Sequence, residues 1–221
     1  MGTRFGWIFP LSAALLLAGC GGNGAPASAT HPSGASAAPA PEPAAQAPPG
    51  RPAPIFSDDA IGLSLDPVAG MTLYRHFHRD YAAGESWKAF APADSRGRAL
   101  AALVLDGSND ITAAEMRIGV SDNMLDVAQC LQPPAGISGD PDQVEIGNVA
   151  FVHFTAGDAA MSHYMQVDGY RSVRNGRCVA IDLMVSGTRP EVYDPPRAVP
   201  FQPQQARERL HAALSAVHWT R

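Results

Sequence analysis

The sequence predicts an α+β fold: a twisted antiparallel sheet with a C-terminal amphipathic helix and a shorter helix packed on it. Three observations carry this expectation. Runs rich in Val, Ile, Phe and Tyr recur through the second half, each bounded by a short turn signal. One of those signals is Asn175-Gly176, the dipeptide that supplies the two positive-φ residues of a type I′ hairpin turn. The last stretch changes to a 3.6-residue period, with Ala206, Leu210, Ala213, Leu214 and Val217 on one stripe. Strands followed by a segregated helix point to a sheet with helices laid on it.

In chain order, residues 61–65 and 71–77 are short β-rich runs around a Pro67/Gly70 turn. Residues 80–98 carry Trp87 and Phe90 without a clear period. Residues 99–105 and 115–120 pair around the Asp106-Gly107-Ser108-Asn109 turn. Ser121 is the expected N-cap of a helical run through Met124, Val127, Ala128 and Leu131, which Pro133-Pro134 stops. Cys130 therefore falls near the end of that helix. Residues 144–146 and 149–154 flank Gly147-Asn148, and 161–174 and 177–185 flank Asn175-Gly176. A two-residue loop at the latter sets Tyr170 opposite Ile181, Ser172 opposite Val179 and Val173 opposite Cys178. Val179, Ile181, Leu183 and Val185 then face the core. Arg171 and Asp182 fall diagonally on the other face, within salt-bridge reach. Residues 187–200 form a Pro-rich loop, and a final helix spans 203–219 with Arg207, Glu208 and His211 off its apolar stripe.

This domain, residues 55–221, follows two segments of different composition. From 21 to 54 the chain is almost entirely Gly, Ala, Pro, Ser and Thr, with Glu42 its only acid and no large apolar side chain to bury. Its prolines favour an extended course of about 3.1 Å per residue, so the tether reaches on the order of 100 Å. Ahead of it, a short start with Arg4 precedes an apolar run from Trp7 that ends in Leu17-Ala18-Gly19-Cys20. That is the layout of an export signal. The run is shorter than the roughly 20 residues a spanning helix needs.

Leu17-Ala18-Gly19-Cys20 resembles the lipobox of bacterial lipoproteins. The resemblance implies removal of signal peptide 1–19, lipid on the Cys20 thiol and acylation of the new N-terminus. Residues 20–54 would then be a lipidated tether, and the membrane a partner through that lipid. Two or three acyl chains, at about 0.8 kcal/mol per buried CH₂, hold a protein far longer than one. Gly21 follows the cysteine and no Asp lies nearby, which in that family resembles an outer-membrane address facing the periplasm. The span from Tyr170-Arg171 to Arg177-Cys178, the Tyr193-Asp194-Pro195-Pro196 loop and the amphipathic end resemble envelope lipoproteins of no assigned activity. The layout is loosely similar to the PsbP/Mog1-like α/β/α sandwich, a fold of mostly non-enzymatic accessory proteins.

With Cys20 set aside, Cys130 and Cys178 remain. An oxidising compartment favours a disulfide between them. Closing a loop near 50 residues stabilises the fold by roughly 3–4 kcal/mol on the chain-entropy account. The alternative is two buried thiols that never meet.

No catalytic template fits. Gly62-Leu63-Ser64-Leu65-Asp66 lacks the second glycine of a serine-hydrolase elbow, and the only lysine gives Ser86-Trp87-Lys88 rather than S-x-x-K. His76 and His78 share a strand face, but Arg75 and Arg79 flank them and disfavour a metal. His153 and His163 lie on successive strands and are a weak pair of ligands. Asp106-x-Ser108-x-Asp110 opens like a calcium loop, then places Ile111 and Arg117 where Gly and Glu belong. No cofactor, metal or catalytic residue is therefore expected. A net charge of −5 and the absence of a basic run exclude a nucleic-acid partner.

Arg171, Arg174 and Arg177 cluster at one hairpin beside Tyr170 and suit a phosphate or carboxylate on an envelope glycan, lipid or protein partner. The competing reading is a solvated hairpin tip with Arg171 paired to Asp182. Together these features predict a non-catalytic accessory or binding module. The alternatives are a small envelope hydrolase and a small-ligand or metal-binding lipoprotein.

Overall fold

The computed structural model describes residues 51–77 and 86–220. Cys20, the signal segment, most of the tether, and His78 with Arg79 lie outside the described residues. The chain forms β1 (Phe56–Asp58), β2 (Leu63–Leu65), β3 (Met71–Tyr74), β4 (Arg98–Leu105), β5 (Ala113–Ser121) and α1 (Met124–Ala128). It continues through β6 (Ser138–Ile146), β7 (Val149–Ala160), β8 (His163–Arg174), β9 (Arg177–Thr188), α2 (Pro203–Ala213) and β10 (Val217–Trp219). Seven strands make one antiparallel sheet in the order β3-β4-β5-β9-β8-β7-β6; β1, β2 and β10 make a second, three-stranded one. The fold is mostly antiparallel sheet with few helices, in keeping with an α+β class.

The large sheet is covered on both faces. On one, Val179, Ile181, Leu183 and Val185 of β9 pack with Met116 and Ile118 of β5, Ala206 and Leu210 of α2, and Leu63, Leu65 and Val217 of the small sheet. On the other, Cys178 and Ala180 meet Trp87, Cys130 and Val127, while Met184 meets Ala89, Met165 and Val167. Every residue of β5 is buried, as is all of β9 beyond Arg177. That explains why β9 reads as a near-continuous apolar run rather than as an alternation.

The predicted hairpin register holds: Tyr170 pairs with Ile181, Ser172 with Val179 and Val173 with Cys178. Asn175 and Gly176 both have positive φ, as the turn demands. Three local expectations are corrected. The final helix stops at Ala213; a 3-10 turn, Leu214–Ala216, leads into β10 instead. Leu214 and Val217 keep their apolar role, but Val217 and Trp219 pair with Leu65 and Leu63, and that pairing overrides the helical period. Ser121 ends β5, and the cap of α1 is Asn123, whose side chain accepts from the N–H groups of Leu125 and Asp126. Met161 lies in the β7–β8 turn, not in the strand, since Met161 and Ser162 both take positive φ.

The segment from 86 to 97 lies directly on β5. A Cβ at Gly119 would sit 1.9 Å from the Trp87 carbonyl oxygen, and one at Gly97 would sit 2.4 Å from the Trp87 ring. Only glycine at both places lets this segment approach so closely.

Candidate functional site: an arginine-lined cleft

The structure separates the three arginines of the β8–β9 hairpin. Alternation puts Arg171 on the face opposite Arg174. Arg171 is 3 % exposed; its Nη1 donates to Asp182 Oδ1 at 2.7 Å, and its guanidinium lies 5.0 Å from the centre of the Phe154 ring. The second oxygen of Asp182 accepts from the Ala89 N–H at 2.7 Å. The predicted pairing of Arg171 with Asp182 is present, but it is buried rather than solvated. Arg174 donates to the carbonyls of Ile61 and Thr220 and stacks over Trp219. Arg177 donates through Nη1 to the Ala60 carbonyl at 3.2 Å. Cys130 and Cys178 stand at disulfide distance, with sulfurs 2.08 Å and Cα atoms 5.4 Å apart.

Of the three, Arg177 opens onto a cleft. Arg96, Gly97, Arg98, Val120, Asp122 and Arg177 line a cavity of about 330 Å³. Strand register brings these ends together: Arg98 opposes Val120, Val120 opposes Val179, and Arg177 begins the same strand as Val179. Arg98 is paired with Asp58 at 3.0 Å. Arg96 spends Nη1 on the carbonyls of Ala93 and Ser95. Among the described residues, Arg96 and Arg177 therefore meet backbone carbonyls and no carboxylate. Each guanidinium has five N–H donors, so both keep several for a ligand. A carboxylate or phosphate is the group that such forks match in charge and geometry.

Sequence reasoning missed Arg96 and Arg98, and the reason is Asp126. This α1 residue is buried against the 86–97 segment. Its oxygens accept from the Ser95 hydroxyl at 2.5 Å, the Arg96 N–H at 2.8 Å and the Ser121 hydroxyl at 3.2 Å. Burial raises the Asp126 carboxyl, but these hydrogen bonds and the nearby Lys88 outweigh it and hold it below its ordinary value. Ser95 in turn accepts from Trp87 Nε1 at 2.8 Å. Asp126 thus fixes the backbone that presents Arg96. The sequence shows only an acid in the first turn of a short helix.

A second polar cluster was also invisible. Asp168, 4 % exposed, accepts from Thr155 at 3.0 Å, from Arg207 at 3.1 Å and from His211 Nε2 at 3.1 Å. The Tyr170 hydroxyl lies 3.4 Å from His211 Nδ1, His153 stacks on Tyr170, and His153 Nδ1 lies 2.7 Å from Asp142. Burial, then Asp168 and Asp142, push the Tyr170 phenol up, so it stays protonated. Through Arg207 and His211 the cluster fastens α2 to the sheet, and Thr155, Asp168 and Arg207 line a cavity of about 140 Å³ beside it. The i, i+4 spacing of Arg207 and His211 was the one legible signal. His153 pairs across from Tyr170 and His163 from Ala160, so the two histidines do not meet. Among the described residues, no group of three His, Cys, Asp or Glu is placed to hold a metal. Compared with known proteins, the chain matches no family model, no curated protein and no solved structure.

Proposed function

We propose that this chain is a lipid-anchored envelope lipoprotein whose domain is a non-catalytic binding module. Residues 1–19 are removed, Cys20 carries the lipid at the outer membrane, and residues 20–54 carry the domain into the periplasm. The domain takes up a phosphate or carboxylate group of an envelope glycan, lipid or protein in the cleft of Arg96, Arg98 and Arg177. The observation that carries the binding role is the convergence of these three arginines on one cavity of about 330 Å³. The anchor is supported by Leu17-Ala18-Gly19-Cys20 at the end of the apolar run.

Each half has its own test. In detergent phase separation the wild-type protein is expected in the detergent phase and Cys20→Ser in the aqueous phase; equal partitioning of the two would reject the anchor. For the cleft, the chain is titrated with inorganic phosphate and with citrate by calorimetry. A charge-assisted hydrogen bond contributes about 1.5–3 kcal/mol, so Arg96→Ala/Arg177→Ala is expected to weaken anion binding at least about tenfold. Unchanged affinity in that variant rejects the cleft as the binding site.

A further inference from the structure

We propose that the arginine cleft and an exposed apolar patch beside it form one docking surface for an anionic lipid bilayer. A headgroup phosphate enters between Arg96 and Arg177, and the patch sinks among the acyl chains. This rests on the reading of the cleft as an anion site and names the source of the anion: a membrane lipid, not a glycan or a protein.

The fold assembles the patch from separate segments. Of the seven large apolar side chains exposed among the described residues, four gather at this end of the large sheet: Met124, Leu125, Leu131 and Val173. Ser121, Cys178 and Val173 stand in one row across β5, β9 and β8. Paired residues share a face, so Val173 lies on the side of Cys178. The disulfide brings Cys130, and with it Leu131, to the same side. From α1 come Met124, 87 % exposed, and Leu125, 50 % exposed, because Asp126 and Val127 are the residues that the helix turns inward. The cleft adjoins this row. Asp122 and Arg177 line it, and they are the chain neighbours of Ser121 and Cys178. Met124 is therefore two residues, at most about 7 Å of chain, from the cleft wall. Contiguous apolar surface beside a polar site marks a contact with a protein or a membrane.

Charge and shape choose between those two. The chain carries a net charge of −5, so an anionic surface repels it as a whole and can hold it only where cations gather. In the cleft, three arginines stand against Asp122 and the Asp58 that pairs with Arg98, which leaves one positive charge. That matches the single negative charge of a phosphodiester. Arg96 and Arg177 supply its hydrogen bonds, since their described partners are backbone carbonyls. Met124 and Leu125 stand out from the surface instead of lining a groove. Side chains so placed enter fluid acyl chains, whose binding adds buried apolar area to attraction for anionic headgroups.

The test is methionine oxidation by hydrogen peroxide in the full chain as isolated from membranes, reconstituted on vesicles and read by peptide mapping. Met161, 93 % exposed in the β7–β8 turn, is the internal reference. The length of β8, about 35 Å, separates it from the cleft end of the sheet. A tethered domain meets its own membrane at an effective concentration on the order of 1 mM, so docking with a Kd of about 0.1 mM shields Met124 most of the time. On phosphatidylcholine mixed with phosphatidylglycerol, Met124 is expected to oxidise about tenfold slower than on phosphatidylcholine alone, while Met161 keeps its rate. Arg96→Ala/Arg177→Ala is expected to restore the faster Met124 rate. Equal Met124 rates on the two vesicles overturn the proposal. So does equal slowing of Met161, or protection that survives in the double variant. A chain that does not float with the vesicles overturns the anchor along with it. Equal Met124 rates in a chain that floats and still binds inorganic phosphate reject the bilayer alone and leave the anion site standing.

Discussion

Asp182→Ala is expected to destabilise the domain by about 3–5 kcal/mol, the usual cost of leaving one partner of a buried ion pair alone. Asp182 is 1 % exposed, and Arg171, its partner at 2.7 Å, is nearly as deeply buried. Removing the carboxylate strands a guanidinium between Phe154 and the sheet, and strands the Ala89 N–H that the second oxygen satisfied. Both losses act on the same face, where Ala89 packs with Met165, Val167 and Met184. The pair does not stabilise the fold by that whole amount. Replacing both residues, as in Arg171→Met/Asp182→Leu, is expected to cost far less than either single change, because no charge is left unpaired. Urea unfolding followed by circular dichroism measures all three variants. A loss below about 1 kcal/mol for Asp182→Ala would mean that water reaches Arg171, which the burial excludes.

Much of the sheet was legible because local chemistry and long-range packing agree there. Asn175-Gly176 fixes a two-residue turn, and the turn fixes every partner from Tyr170–Ile181 to Val173–Cys178. The same register placed Arg171 within reach of Asp182 before any contact was known. What it did not give was the burial of that pair, since the cover comes from Ala89, some 90 residues away in sequence. The end of α2 was misread for the opposite reason. Leu214 and Val217 continue a helical stripe, yet β10 takes Val217 because β2 offers it a strand edge. The site was the least legible part. Arg177 was singled out from its hairpin, but Arg96 and Arg98 reach the cleft only through the Asp126 hub and the β4–β5 register. The Asp168 cluster draws on three strands and a helix. Apart from the i, i+4 spacing of Arg207 and His211, such a constellation leaves no spacing in the sequence to find.

Cys130→Ser/Cys178→Ser is expected to lower stability by about 3–4 kcal/mol, because the crosslink removes loop-closure entropy from the unfolded chain. The two residues are 48 apart in sequence. For a domain of this size that corresponds to a fall in Tm of roughly 6–16 °C, read by calorimetry on the double variant. The larger consequence is local. With five residues, α1 is too short to hold itself as a helix. Val127 and the Cys130–Cys178 contact are the apolar ties that seat it on β9. α1 carries Asp126, and Asp126 holds the Ser95–Arg96 backbone in place. Loosening the helix therefore loosens Arg96, so the double variant is expected to bind phosphate more weakly than wild type even well below its melting temperature. Wild-type affinity in a measurably destabilised double variant would show that Asp126 keeps its place without the crosslink. A parallel loss of affinity and stability would make the oxidised pair a condition for the cleft, tying anion capture to an oxidising compartment.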